Sequence, residues 1–405
     1  METIIQAVFA ALDPLFDRPT HTPPTSNIES VKSYQAALAD FRLVCRSWDA
    51  LITSSLGWRY IIIQLDRHSF SFDKLAHYVQ TTASRTDQGP LDVFVLRRKI
   101  PITYDLSERR KMIHVTRILL PYHDRIRTLF IEPNQSSSVP PYLPSYLNSE
   151  LRNLSTLVLA YHADDSSTGS LSDVCDSDVV WPFSTTDTIV FTRSLDVAAA
   201  TNTLTTFSIG GRQLMSFLDS PRIDTLHGLS SLQVAGLTKL SPVTEGYTKD
   251  KVSLWITLLS NVETLNKLFF DDVDIPAMPD CSRGFRSRPT LTIVGANART
   301  MNFLFTAIYI CDLPRIDLFR CAFNAPVCFP TSQTLRLYDI RDFPDLVKSI
   351  ATFRGPSLHF GKCCDITNRH VQDITRGDEP RPSNITFEDC PSVTTPRGVV
   401  NLAHC

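Results

Sequence analysis

Leu313-Pro-Arg-Ile316-Asp-Leu318-Phe-Arg-Cys321 reads apolar-x-x-apolar-x-apolar, with a cysteine three residues past the last apolar position. Successive strand residues point to opposite faces, so Ile316 and Leu318 share a buried side while Asp317 faces away. The same template fits at Ile126/Leu129/Ile131, Leu154/Leu157/Leu159, Leu204/Phe207/Ile209, Leu229/Leu232/Val234 and Leu265/Leu268/Phe270. Shorter copies occur at Ile189/Phe191, Leu291/Ile293, Leu335/Leu337, Leu358/Phe360 and Ile385/Phe387. From Leu129 to Ile385 the second apolar positions recur about every 26 residues, with wide scatter. Apolar residues at helical spacing lie between them: Phe72/Leu75/Ala76/Val79, Met112/Ile113/Thr116/Leu119/Leu120, Trp255/Leu258/Leu259, Phe303/Ala307/Ile310 and Phe343/Leu346/Val347/Ile350. No strand–helix module of this size can bury its apolar face alone, so neighbours must stack.

That period falls in the leucine-rich-repeat range of about 20–29 residues. Such repeats place Asn or Cys three residues after the last apolar strand position, and Asn134, Cys321, Cys363 and Cys390 stand there. At the strand exit such a side chain can satisfy a buried backbone group, which makes these cysteines structural. The expected fold is an α/β solenoid: a small helical head over 1–66, then a curved, irregular leucine-rich-repeat-like array over 67–405 with a parallel sheet and outer helices. The acidic, serine-rich stretch at about 161–180 reads as a flexible insertion loop.

Composition narrows the function classes. A hydrophobic fraction of 43% supplies a continuous core, and a net charge of −2 lacks the basic excess of a nucleic-acid binder. No apolar run approaches the roughly 18 residues of a membrane span. The first twelve residues carry Glu2 and no Lys or Arg, unlike a secretion signal. Ten cysteines are too few for a disulfide scaffold in a chain of 405 residues. These features predict a cytoplasmic or nuclear protein. No Cys or His pair has metal-ligand spacing, and no nucleophile, phosphate-loop or zinc-protease motif is present. His162 beside Asp164 and Asp165, and His359 on a strand, read as surface histidines rather than bases. The expectation is a protein without enzymatic activity, metal or cofactor.

The N-terminal residues carry a resemblance. Met1-Glu-Thr-Ile-Ile-Gln-Ala-Val-Phe-Ala-Ala-Leu12, Leu43-Val-Cys-Arg-Ser-Trp48 and Gly57-Trp58-Arg-Tyr-Ile61 together resemble the F-box motif. The Val-Cys-Arg-x-Trp match at Val44–Trp48 is its most specific part. The chain departs from the motif in lacking the opening Leu-Pro, in Gly57 where Leu is customary, and in a longer 15–40 segment. Residues 1–160 resemble in their order fungal F-box proteins with leucine-rich-repeat-like tails. The resemblance implies docking onto the Skp-type adaptor of a cullin–RING ubiquitin ligase through Ile4, Ile5, Val8, Phe9, Val44, Cys45 and Trp48, supported by Trp58. Two alternatives stay open: a head that merely caps the array, and a repeat scaffold with no ligase association.

Target binding is expected on outward strand positions, namely Phe130, Val158, Val190, Ser208, Gln233, Phe269, Thr292, Asp317, Arg336, His359 and Thr386. Binding energy concentrates in aromatic and arginine anchors. The target-binding candidates are therefore Phe269, Asp317, Phe319, Arg336 and Tyr338.

Overall fold

The computed structural model describes residues 59–65, 71–86, 88–97, 105, 107–139, 153–163, 204–218, 231–240, 245–275, 283–309, 312–340, 345–376, 382–393 and 400–401. The expected head helices, the insertion at about 161–180 apart from its first residues, and the Ile189/Phe191 strand lie outside the described residues. The chain divides into two compact units, Met1–Thr203 and Leu204–Cys405. Both have an open α/β architecture built on parallel strands.

In the first unit, β1 (Tyr60–Gln64), β2 (Leu91–Leu96), β3 (Ile126–Glu132) and β4 (Thr156–Leu159) pair parallel in chain order. Helix α1 (Phe72–Arg85) joins β1 to β2, and α2 (Ser107–Leu119) with a 3-10 turn (Leu120–Arg125) joins β2 to β3. Ser71 starts α1 by accepting the Lys74 backbone N–H, one of the donors a helix start leaves unpaired. Alternation sets the core: Ile61, Ile63, Val93, Val95, Leu129, Ile131, Leu157 and Leu159 are all buried. Helix α2 adds Met112, Ile113 and Val115.

The second unit begins with β5 (Thr206–Gly210), α3 (Gly211–Leu218), β6 (Val234–Leu240), α4 (Glu245–Ser260) and β7 (Lys267–Val273). The pair β8 (Arg283–Gly284) and β10 (Ile308–Tyr309) brackets β9 (Thr290–Val294) and α5 (Ala298–Ala307). Then follow β11 (Ile316–Phe319), β12 (Thr334–Tyr338), α6 (Leu346–Ile350), β13 (Ser357–Gly361), α7 (Asn368–Arg376), β14 (Asn384–Glu388) and β15 (Val400–Asn401). Strands β5, β6, β7, β9, β11, β12, β13 and β14 are parallel neighbours in that order, and β15 closes on β14 antiparallel. Trp255 of α4 is fully buried edge-on against Phe207 of β5, which puts the helix on the apolar side of the strands.

The strand exits repeat more regularly than the sequence does. Lys239, Asp272, Gly295, Arg320, Asp339, Lys362 and Asp389 hold φ of 51, 55, 70, 53, 48, 54 and 52°. A left-handed conformation disfavours non-glycine residues by about 1–2 kcal/mol. The next strand pins it: the N–H groups of Gly295, Arg320, Asp339 and Lys362 donate to Phe319, Tyr338, Gly361 and Glu388 at 2.8–2.9 Å. Each turn then delivers the following residue inward, and Leu240, Val273, Ala296, Cys321, Ile340, Cys363 and Cys390 are all buried. The cysteines behave as their spacing predicts. Each donates its thiol to a carbonyl of the preceding strand, Cys321 to Ile293, Cys363 to Leu337 and Cys390 to Phe360. Burial pushes the Cys321 and Cys363 thiols up to about 12, so they stay protonated donors.

Three expectations need correction. Strand β6 is shifted by three residues from its sequence reading. Ala235 and Leu237 occupy the buried positions in register with Leu268 and Phe270, and Gly236 takes the outward place assigned to Gln233. An alanine at a core position is too weak an apolar signal to set the frame. Helices α3 and α7 were not anticipated, being short or mostly polar. The Asn134 side chain does not satisfy backbone as expected, since its Oδ1 has no hydrogen-bond partner. Glu108 of α2 serves that strand exit instead, accepting the N–H groups of Asn134 and Gln135 at 3.0 Å each.

Candidate recognition surface

The outward positions of the second unit line up across the strands. Phe269, Thr292, Asp317, Arg336, His359 and Thr386 are consecutive register partners from β7 to β14. Two residues further along lies a second row on the same face: Asp271, Val294, Phe319, Tyr338, Gly361 and Glu388. All five target-binding candidates therefore fall on one face, within two adjacent rows. Asp317 and Arg336, like Phe319 and Tyr338, are one strand apart, about 4.8 Å, and Phe269 lies two strands from Asp317.

Two glycines make room for the aromatic rings. A Cβ at Gly236 would run into the Phe269 ring, and one at Gly361 would run into Tyr338. Phe269 thus lies over β6 and Tyr338 over β13. Phe319 stacks on Tyr338 with ring centres 5.0 Å apart and planes 12° from parallel. His359 follows, 5.2 Å from Tyr338. It shares a 2.6 Å hydrogen bond between its Nδ1 and Thr386 Oγ1, and its Nε2 lies 3.3 Å from the Glu388 carboxylate. This histidine is half-buried within the row, not the free surface group that its sequence context suggests. Burial, helped by Arg336, holds its pKa below the usual value against the pull of Glu388 and Asp317.

The charged centre of the face is Asp317. It was expected to project outward, yet only 3% of it is exposed. Arg315 Nε approaches Asp317 Oδ2 at 3.0 Å without hydrogen-bond alignment, and Asp317 Oδ1 has no partner. Burial raises the Asp317 pKa although Arg315, Arg336 and Lys267 oppose it. Lys267, across from Arg315 on the same face, is held down at about 8 by burial and by Arg315, with Asp317 working against both. Next to Asp317, Thr292 is 2% exposed and its hydroxyl also lacks a partner.

The first unit presents a different face. Its outward positions Ile62, Phe94, Leu96, Phe130 and Val158 form an apolar cluster, with Phe94 and Phe130 stacked at 6.1 Å. Only Phe130 and Val158 were singled out from the sequence. The alternation within Leu91-Asp-Val-Phe-Val-Leu96 carries the signal for Phe94 and Leu96. Beside the cluster, Asp92 is buried between Arg59 at 2.7 Å and a two-pronged Arg127 at 2.6 and 3.1 Å.

The adaptor-docking candidates Ile4, Ile5, Val8, Phe9, Val44, Cys45 and Trp48 lie outside the described residues, as does Trp58. Among the described residues no group of His, Cys, Asp or Glu could hold a metal ion, and no helix is long and apolar enough to cross a membrane. No protein-family model matches this chain, and no curated protein matches it either.

Proposed function

We propose that this chain is the substrate-recognition adaptor of a cullin–RING ubiquitin ligase, with an F-box-like head over 1–66 and an irregular leucine-rich-repeat-like solenoid behind it. The head docks a Skp-type adaptor through Ile4, Ile5, Val8, Phe9, Val44, Cys45 and Trp48. The repeats select a target protein through Phe269, Asp317, Phe319, Arg336 and Tyr338, and the chain performs no chemistry itself. The observation that carries this reading is the in-register row of aromatic and charged side chains on one face of a parallel sheet. A scaffold gains nothing from such a row unless a partner covers it. The thiol-to-carbonyl bonds at three strand exits support the repeat assignment, and the Val44–Trp48 match supports the docking assignment.

Co-expression with a Skp-type adaptor tests it. The full chain should retain the adaptor through size-exclusion chromatography, and Val44→Asp with Trp48→Ala should release it. A Phe319→Ala/Arg336→Ala variant should still retain it. Failure of the full chain to hold the adaptor leaves the second reading, an interaction scaffold outside any ligase.

A further inference from the structure

The proposed target surface separates its charges along the strands, and that separation points to what it binds. Lys267 and Arg315 sit on the N-terminal edge of the face, and Arg336 is the register partner of both Asp317 and His359. Arg315 is the ion-pair partner of the buried carboxylate of Asp317. The other acidic groups on the face, Asp271 and Glu388, belong to the row two residues further along. Glu388 is already engaged with His359, and Asp271 is half-buried near Lys239, Asp272 and Arg320.

Arg336 is the group left over. Its guanidinium influences Asp317, Tyr338 and His359 electrostatically, but among the described residues it makes no hydrogen bond or ion pair. A planar fork of five donors, with no acceptor among the described residues, is set up for a carboxylate. Beside it Phe319 and Tyr338 offer a stacked, half-buried pair of rings. The unpartnered Asp317 Oδ1 and Thr292 Oγ1, both on side chains more than nine-tenths buried, show that hydrogen bonding at the base of this face is incomplete.

Resting on the target-binding reading, we propose that the face recognises an extended protein segment whose glutamate or aspartate side chain sits on Arg336, on the β12 side of Arg315, with an adjacent apolar side chain on the Phe319–Tyr338 stack. The separation of signs orients the segment. Its carboxylate lies toward the cationic N-terminal edge, away from Asp271 and Glu388.

The probe is a fluorescein-labelled nonapeptide with a single glutamate flanked by phenylalanine and leucine, and three versions with glutamine, lysine or phosphoserine in its place. Anisotropy titration against the full chain should show the glutamate peptide binding about tenfold tighter than the glutamine peptide, the scale of one charge-assisted contact. The lysine peptide should bind more weakly still. Arg336→Gln should reduce glutamate-peptide affinity about tenfold and leave the glutamine peptide unchanged. Equal affinity for glutamate and glutamine, stronger binding of lysine, a marked preference for phosphoserine, or no binding of any version up to about 1 mM overturns the proposal. The wild-type series decides the charge preference even if the variant folds poorly. No ligase component is present, so this outcome and that of adaptor capture are independent.

Discussion

Glu108→Ala should destabilise the first unit by about 3–5 kcal/mol, the scale for removing one partner from a buried charge pair. Glu108 is fully buried. One carboxylate oxygen accepts from Arg97 at 2.7 Å and from the Asn134 N–H at 3.0 Å, while the other accepts from the Gln135 N–H at 3.0 Å. Arg97 is itself 8% exposed, with Asp105 at 3.0 Å as its second carboxylate. Losing Glu108 leaves the buried guanidinium with Asp105 alone and two buried amides without their acceptor at once. Glu108→Gln is the sharper variant. It keeps the size and one acceptor but turns an NH2 group toward an N–H donor, so it should cost about 1–3 kcal/mol. Urea denaturation measures both. A loss below about 1 kcal/mol for the alanine variant would mean that this carboxylate does not tie α2 to the β3 exit.

Trp255→Ala should remove about 3–5 kcal/mol from the second unit through the cavity it leaves. The indole is fully buried, 5.4 Å edge-on from Phe207. Trp255→Phe separates packing from polarity. The indole Nε1–H is buried without an acceptor, and its removal recovers part of the desolvation cost, about 1–3 kcal/mol for an unsatisfied donor. The phenylalanine variant should therefore lose much less than the alanine variant. Equal losses would show that the N–H is satisfied after all.

Both residues mark the limit of what the sequence discloses. Trp255 was legible as part of an apolar helix stripe, because a helical face and its buried side are local properties. Glu108 was not. In Ser107-Glu-Arg-Arg-Lys111 it looks like any solvated first-turn acid, and only the fold brings Asn134 and Gln135 to it. The apolar template located nine of the described strands in frame, since branched and aromatic residues at alternate positions announce a buried side. It slipped by three at β6, where Ala235 and Gly236 carry almost no signal. Gly236 proves informative only beside Phe269, whose ring fills the space a side chain would occupy.

The recognition face was partly readable. Alternation placed Phe269, Asp317, Phe319, Arg336 and Tyr338 on one side, but it could not foresee that Asp317 would be buried beside Arg315. That depends on how long side chains lean. The seven left-handed strand exits were equally hidden, because six of the seven are charged residues rather than glycine.

The account depends on β11 and β12 being parallel neighbours in the register that stacks Phe319 on Tyr338. A double-mutant cycle over Phe319→Ala and Tyr338→Ala, read by urea denaturation, tests that pairing directly. The stacked geometry predicts a favourable coupling of about 0.5–1.5 kcal/mol between the two rings. Strictly additive losses would contradict the register, and with it the face on which the proposed recognition rests.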